Sequence, residues 1–317
     1  MDLIPIVFAI DNNVVMQCGV TITSLLMNAK ADTFYDVYIL CKQSQLTDEN
    51  KSVLLQAFAN KKQCKITFVD VGEAFKESEG FAEGHITTAT YFRLAIPALF
   101  PQFDKAIYAD VDMIFQQDLL ELFQSSLQNG ELLAAVLDLA IDDKCCFKSG
   151  LPVRIGKSEQ DYFNAGFLVM NLEQMRKTDV QNELRRHAKI KYEMNDQDVL
   201  NIVCNGKVQL LPSVYNFQPG HFANFLWGKD KSEINFDGLF KRATLHYTGA
   251  HKPWNSLECV ASDTWWHYYK MSSFYDDMVY FRRQYDQIES HKNDFRVKSN
   301  VQLLTMAMVN IKHKLFG

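Results

Sequence analysis

Several things are missing from this chain of 317 residues, and each absence removes a class of function. No G-x-G-x-x-G follows the first apolar run and no P-loop occurs anywhere, so the common dinucleotide and NTPase motifs are excluded. The seven cysteines (Cys18, Cys41, Cys64, Cys145, Cys146, Cys204 and Cys259) are odd in number and scattered, with no C-x-x-C pair. That argues against a structural zinc site or a disulfide framework and for a reducing, cytoplasmic setting. No segment approaches the ~20 apolar residues of a membrane-spanning helix. There is no excess of positive charge: the net charge is −5, and no nucleic-acid partner is expected. Internal repeats, low-complexity segments and a clear linker are also lacking. The opening MDLIPIVFAIDNN has no basic start and no small-residue cleavage site, and Asp2 and Asp11 bracket its apolar run; it reads as a first β-strand, not a signal sequence.

What is present supports a sizeable core. Apolar residues make up 47% of the chain, and the length suits one large domain or two small ones. Strand and helix patterns alternate through the first half. Residues 3–10, 36–41, 64–71 and 132–138 read as strands. Val14, Val15, Cys18, Ile22, Leu25, Leu26 and Ala29 recur at helical spacing, Thr47 is placed to cap a helix carrying Leu54, Leu55 and Phe58, and a further helix is expected over 87–99. This alternation predicts an α/β domain with a mostly parallel, doubly wound sheet flanked by helices, whose ligands gather beyond the carboxyl ends of the strands. The second half is less regular. Residues 161–171 read as a strand with a polar turn at Asn164–Gly166, 195–206 as a helix closed by Gly206, 243–254 as a strand running into a loop, and Trp265–Tyr285 as one or two aromatic helices.

The most informative stretch is KAIYADVDMIFQQD, residues 105–118. An apolar run ends in Asp110 and Asp112. On extended backbone positions i and i+2 point the same way, so both carboxylates can reach one hard cation. Oxygen ligands suit Mg²⁺ or Mn²⁺, and such ions often keep positions open for a phosphate. The flanking Ile107, Tyr108, Ala109, Val111, Met113, Ile114 and Phe115 make a solvated turn a poorer account, because buried carboxylates need a compensating partner. Asp118, with Glu121 three residues on, reads as a helix N-cap. After the first strand come Asp11, Asn12 and Asn13, which by themselves read equally well as ordinary turn chemistry.

Five segments in order, IVFAIDNN, HITTATYFRL, YADVDMI, FNAGFLVMNL with NDQDVLN, and LHYTGAHKPW, resemble retaining glycosyltransferase family 8, which includes bacterial lipopolysaccharide and lipooligosaccharide galactosyl- and glucosyltransferases and also glycogenin. They run from residue 6 to residue 254. The resemblance implies a GT-A, Rossmann-like fold and transfer of a hexose, galactose or glucose, from a UDP-sugar to a hydroxyl of a saccharide or glycolipid acceptor, with Mn²⁺ or Mg²⁺ as cofactor. It implies Asp110, Asp112 and His246 as metal ligands. It places Ala9, Asp11, Asn12, Asn13 and Val111 at the nucleotide, His85 and Arg93 near the diphosphate and donor sugar, and Gly249 and Lys252 over the diphosphate. Asn164, Asp196, Gln197 and Asp138 fall around the donor sugar. The residues taken alone leave alternatives open: a packed histidine for His246, a structural ion pair for Arg93, a helix cap for Asp196, a tight turn for Asn164. An amide is a poor nucleophile, so front-face attack by the acceptor is expected over a covalent intermediate on Gln197 or Asp196. A glycogenin-like self-glycosylating primer and a metal-dependent phosphohydrolase are the competing functions.

The catalytic domain is expected over residues 1–260 and a helical segment over 261–317. Residues 291–317 carry five basic side chains (Lys292, Arg296, Lys298, Lys312 and Lys314) against Asp294, a net of +4 that leaves −9 for the rest. Val297, Val301, Leu304, Met308, Ile311 and Leu315 recur at spacings of four and three, on one helical face. Such a face suits the anionic inner surface of the cytoplasmic membrane, and equally a docked helix or a dimer contact.

Overall fold

A computed structural model describes residues 2–81, 88–138, 161–221 and 242–287. Nine strands are described: β1 (Asp2–Ala9), β2 (Thr33–Cys41), β3 (Cys64–Asp70), β4 (Lys105–Ala109), β5 (Met113–Ile114), β6 (Leu133–Leu137), β7 (Phe163–Asn171), β8 (Val208–Leu210) and β9 (Leu245–His246). Seven of them form one sheet in the order β3-β2-β1-β4-β7-β6-β8. All neighbours in it are parallel except β7, which is antiparallel to both β4 and β6. The expected mostly parallel sheet is therefore present, with its reversed strand next to the one that leads into Asp110.

The continuous apolar runs of β1 and β2 follow from burial on both faces. Ile4, Ile6 and Phe8 of β1, with Val37 and Ile39 of β2 and Phe167 of β7, pack into one core. Val7, Leu40, Tyr108 and Leu168 point the opposite way into a second. Each fully buried side chain of this kind contributes about 1.5–3 kcal/mol, so the sheet is the shared wall of two cores and a stiff support for groups at its edge. Helix α1 (Val15–Met27) covers the first core, with ten of its thirteen residues buried. Thr47 caps α2 (Asp48–Phe58) as expected, accepting the Asn50 N–H.

Several local expectations change. The segment expected as one helix over 87–99 is a 3₁₀ turn run, Thr88–Ala95, followed by the short α3 (Ile96–Leu99), whose first turn tolerates Pro97. Asp118 stands one residue outside the cap of α4 (Leu120–Ser125): its Oδ1 accepts the Leu120 N–H at 2.8 Å while Oδ2 accepts the Lys30 N–H at 2.8 Å. It therefore ties two loops together as well as starting a helix. Asn164–Gly166 makes no turn and lies inside β7, where its backbone is held mainly by side chains: the Ala165 N–H donates to Gln197 Oε1 and the Gly166 N–H to Asn164 Oδ1, while the Gly166 carbonyl accepts the Asp110 N–H. Two helices follow, α5 (Leu172–Lys177) and α6 (Val180–His187). The next, α7 (Asn195–Val203), ends before Gly206, which takes φ +71° in the turn before β8.

The chain divides into two compact units, Met1–Phe274 and Tyr275–Gly317. The expected 260/261 boundary falls inside the first, because α8 (Ser262–Met271) packs on α1 and the Tyr268 hydroxyl accepts from the Asn28 amide at 2.9 Å. In the second unit a helix over 277–287 begins at Asp276, whose side chain accepts the Met278 and Val279 N–H groups. The basic tail 291–317 lies outside the described residues, as does His85. Among the described residues no helix is long and apolar enough to cross a membrane.

Candidate active site

Asp110 and Asp112 do not continue a strand. They occupy the turn between β4 and β5, and the alternation argument gives way to a different cause of convergence. The turn is clamped from three sides. The Asp110 N–H donates to the Gly166 carbonyl at 2.8 Å, and the Tyr247 N–H donates to the Asp112 carbonyl at 3.0 Å. The buried Thr21 hydroxyl of α1 lies 2.7 Å from the Val111 carbonyl and 2.9 Å from that of Met113. Antiparallel pairing of β5 with β9 sets Met113 opposite His246, one residue from Asp112. The two carboxylates and the imidazole thereby offer ligand atoms that all lie within 4.8 Å of one another.

Each carboxylate commits one oxygen to the protein and turns the other to the imidazole. Asp110 Oδ1 accepts from the Tyr108 hydroxyl at 2.7 Å and from Arg93 at 2.9 Å. Asp110 Oδ2 faces His246 Nε2 at 3.8 Å. Asp112 Oδ2 accepts from Lys252 Nζ at 2.5 Å, and Asp112 Oδ1 stands 3.2 Å from His246 Nε2. That Oδ1 is buried and accepts no hydrogen bond, a costly state for a carboxylate oxygen unless a cation compensates it. Burial alone would push the Asp112 carboxyl up; the Lys252 ammonium acts against it, and the carboxyl is held well below the usual carboxylate range. Two carboxylates and one imidazole nitrogen form a donor set that fits Mg²⁺ or Mn²⁺.

Arg93 is 3% exposed, and its charge is fully accommodated. It bonds Asp110, its Nε donates to the Thr90 carbonyl at 2.8 Å, a further N–H meets the Ala165 carbonyl, and its guanidinium lies 4.4 Å from the Tyr108 ring centre. Asp196 Oδ2 approaches Nε to 2.9 Å without accepting a hydrogen bond, so that contact is ionic. Burial, with Asp110 close by, pushes the Asp196 carboxyl up to about 6 although Arg93 pulls it down. Asp196 is therefore not the cap of α7. The N-cap is Met194, with no side-chain cap, and Asp198 reaches back from within the helix to accept the Met194 N–H at 2.9 Å.

One cavity of about 640 Å³ gathers most of the expected site. Ala9, Asp11 and Asn13 line it from the end of β1, and Arg93, Asp110, Val111 and Asp112 from the centre of the sheet. Asp138, Asn164 and Gln197 line a further wall, and His246, Gly249 and Lys252 the wall that follows β9. Gly249 takes φ +78°, a conformation that glycine adopts without strain. Two expected residues are not among those that line it. Asn12 turns away, its Oδ1 accepting the Thr47 N–H at 3.0 Å and the Asn50 amide at 2.9 Å, and Asp196 is covered by Arg93. On the Gln197 side both carboxamides are held. Gln197 Oε1 accepts the Ala165 N–H at 3.0 Å, and its Nε2 donates to Asp138 Oδ2 at 2.7 Å, an oxygen that Asn164 Nδ2 also reaches at 3.2 Å.

The family model for glycosyl transferase family 8 matches residues 5–258. The chain belongs to glycosyltransferase family 8. A putative glycosyltransferase of Haemophilus influenzae is 31% identical over 259 residues, 79% of this chain and 72% of that protein. The lipopolysaccharide 1,2-glucosyltransferase of Escherichia coli is 27% identical over 84% of this chain and 76% of its own length. Among solved structures, the galactosyltransferase LgtC in complex with donor and acceptor sugar analogues superposes with a TM-score of 0.70 at 25% identity, covering 87% of this chain and 98% of that one. Family 8 membership makes the protein an enzyme of the GT-A fold that uses a nucleotide-sugar donor, a saccharide acceptor and a divalent metal.

Sequence reasoning missed several residues of this family 8 site. Tyr108 and Gly166 lie inside segments carrying the resemblance, but were read as core and as turn. Asn216, which meets His246 Nδ1 at 2.9 Å, lies in an irregular stretch with no periodicity to mark it. Thr248 and Trp254, which also line the cavity, lie in the LHYTGAHKPW segment and carried no local signal of their own.

Proposed function

We propose that this enzyme transfers galactose or glucose from a UDP-sugar to a hydroxyl of a saccharide or glycolipid acceptor, with retention at the anomeric carbon, in synthesis of lipopolysaccharide or another surface glycan. The observation that carries the reading is the convergence of Asp110, Asp112 and His246 in the same cavity as Asp138, Asn164 and Gln197. Ala9, Asp11 and Asn13 bind the uridine, Gly249 and Lys252 close over the diphosphate, and Asp138, Asn164 and Gln197 orient the sugar. Asp110, Asp112 and His246 would hold a divalent ion, which would supply charge neutralisation for the departing diphosphate. Lys252 donates to the same oxygens, as preorganised electrostatic stabilisation.

The acceptor hydroxyl attacks C1 on the face from which UDP departs. The C1–O bond to phosphate breaks, and the hydroxyl proton passes to the departing phosphate oxygen. Support comes from the state of the two candidate nucleophiles. Gln197 Oε1 is occupied by the Ala165 N–H, and Asp196 lies behind Arg93. A screen of UDP-sugars with Mn²⁺ and a saccharide acceptor is expected to yield an α-linked product from UDP-galactose or UDP-glucose, read by anomeric NMR. Inverted product, or a glycosyl adduct on Asp196 or Gln197 in the intact mass, counts against the reading.

The catalytic unit is proposed to run on from residues 1–260 through α8 to Phe274, which confines the attachment role to the remainder of the 261–317 segment. The charge and apolar spacing of 291–317 favour contact with an anionic membrane face. Sedimentation with phosphatidylglycerol vesicles should carry down the full chain and lose it on removal of 291–317; equal sedimentation of both forms refutes the assignment.

A further inference from the structure

The polarity of the buried hydrogen bonds around His246 can be assigned from one backbone group outwards. The Gly166 N–H is an obligate donor, and it meets Asn164 Oδ1 at 2.9 Å. That oxygen is therefore the carbonyl of the Asn164 amide. Asn216 approaches the same oxygen at 2.9 Å and must present its NH₂ group there. Its own carbonyl oxygen is then the atom 2.9 Å from His246 Nδ1. An amide oxygen only accepts, so the neutral form of His246 carries its proton on Nδ1 and turns the Nε2 lone pair to Asp110 and Asp112.

Asn216 is fully buried, and the backbone holds it in register with the ring it orients. The Phe217 N–H donates to the Thr244 carbonyl and the His246 N–H donates to the Phe217 carbonyl, each at 2.8 Å. The Asn164 amide that Asn216 touches also donates to Asp138 Oδ2, an oxygen shared with Gln197. One side chain thus joins the metal-facing imidazole to the carboxamide wall of the cavity.

We propose that Asn216 is a positioning residue with two separable duties: its carbonyl locks His246 in the metal-binding tautomer, and its NH₂ group orients Asn164 toward the donor sugar. The inference rests on the function proposed above and adds a residue to it. Asn216→Asp separates the duties. A carboxylate still accepts from His246 Nδ1 but offers Asn164 only an acceptor, so two oxygens face each other there. Asn216→Ala removes both contacts.

Mn²⁺ affinity is read on the donor-free chain by electron paramagnetic resonance, beside kcat and the donor KM. Asn216→Ala should weaken Mn²⁺ binding about 10- to 100-fold, the size found when the partner of a ligating histidine is removed. Asn216→Asp should keep Mn²⁺ affinity within about threefold and instead lose kcat and raise the donor KM, because the lost group faces the sugar side. Nitrogen-15 spectra of the metal-free chain, with His246→Gln to assign the ring, should give the Nδ1–H tautomer. An Nε2–H ring overturns the proposal without any metal. Alanine and aspartate variants that behave alike, or an alanine variant that binds Mn²⁺ as the wild type does, also overturn it and leave the transferase reading standing. A wild-type chain with no Mn²⁺ affinity overturns both. If Asn216→Ala does not fold, the aspartate variant and the spectra decide the matter.

Discussion

Asp112→Asn is expected to lower transfer by at least about a thousandfold, the order of effect when several kcal/mol of metal-borne charge stabilisation are lost. The reason lies in the two oxygens of this carboxylate. One is held by Lys252, and the other is a buried, unpartnered atom 3.2 Å from His246 Nε2. An asparagine keeps the shape but loses the negative charge, and one of its two termini becomes a donor. If the amide oxygen stays with Lys252, an NH₂ group points at the metal position; if it turns over, the NH₂ group opposes the ammonium. The first arrangement removes a ligand, and the second keeps an uncharged one only by setting two donors against each other. Far-UV circular dichroism should remain that of the wild type, since the turn is held by backbone bonds to Gly166 and Tyr247 and by Thr21. Mn²⁺ affinity and UDP binding should fall together. Normal turnover by the purified variant would refute the metal assignment.

Gly166→Ala should be nearly as damaging, with no change in charge. A Cβ at this position would stand 2.2 Å from His246 Cε1 and 2.9 Å from both Asp110 Oδ2 and His246 Nδ1. The ring has no free retreat, because Asn216 holds its Nδ1 edge and only 3% of the residue is exposed. The backbone of β7 is likewise fixed between β4 and β6. The methyl group must therefore displace the imidazole or open the sheet. Overpacking of this kind costs about 1–3 kcal/mol of stability. Displacement of the ligand should weaken Mn²⁺ binding by about 10- to 100-fold or more, as loss of ligand orientation does elsewhere. Titration calorimetry with Mn²⁺, beside a thermal melt, separates the two effects. A variant that melts lower but binds Mn²⁺ normally would mean that His246 is not gripped as described.

Much of this was legible along the chain. The buried strands β1 and β2 and the half-exposed edge strand β3 announce themselves as apolar runs of strand length, and α1 and α2 by spacing and by Thr47. The acid pair stands at the end of an apolar run, and five ordered segments resembled one family. Where local reading failed, long-range pairing was the cause. Asn164–Gly166 has the composition of a turn but lies inside a central strand, because distant groups, Gln197 Oε1 on the Ala165 N–H and the Asp110 N–H on the Gly166 carbonyl, supply partners for its backbone. The segment expected as a helix over 87–99 has helical periodicity, but Thr88–Ala95 winds more tightly as a 3₁₀ run before the short α3. Asp196 looked like a helix cap and is an ionic partner of Arg93.

Local chemistry dictated which residues could serve: two carboxylates on either side of a valine, an imidazole after an apolar strand, carboxamides in polar breaks. Those side chains carry their donor atoms wherever the backbone takes them, so their types can be read from composition and order alone. Convergence is another matter. Asp110 and Asp112 meet through a clamped turn and not through strand alternation, His246 joins them through pairing of β5 with β9, and Asn216 sets the proton on that ring from a segment without pattern. Distances of 3 Å between groups far apart in the chain depend on sheet register and on the direction of buried hydrogen bonds, and only the assembled fold specifies either.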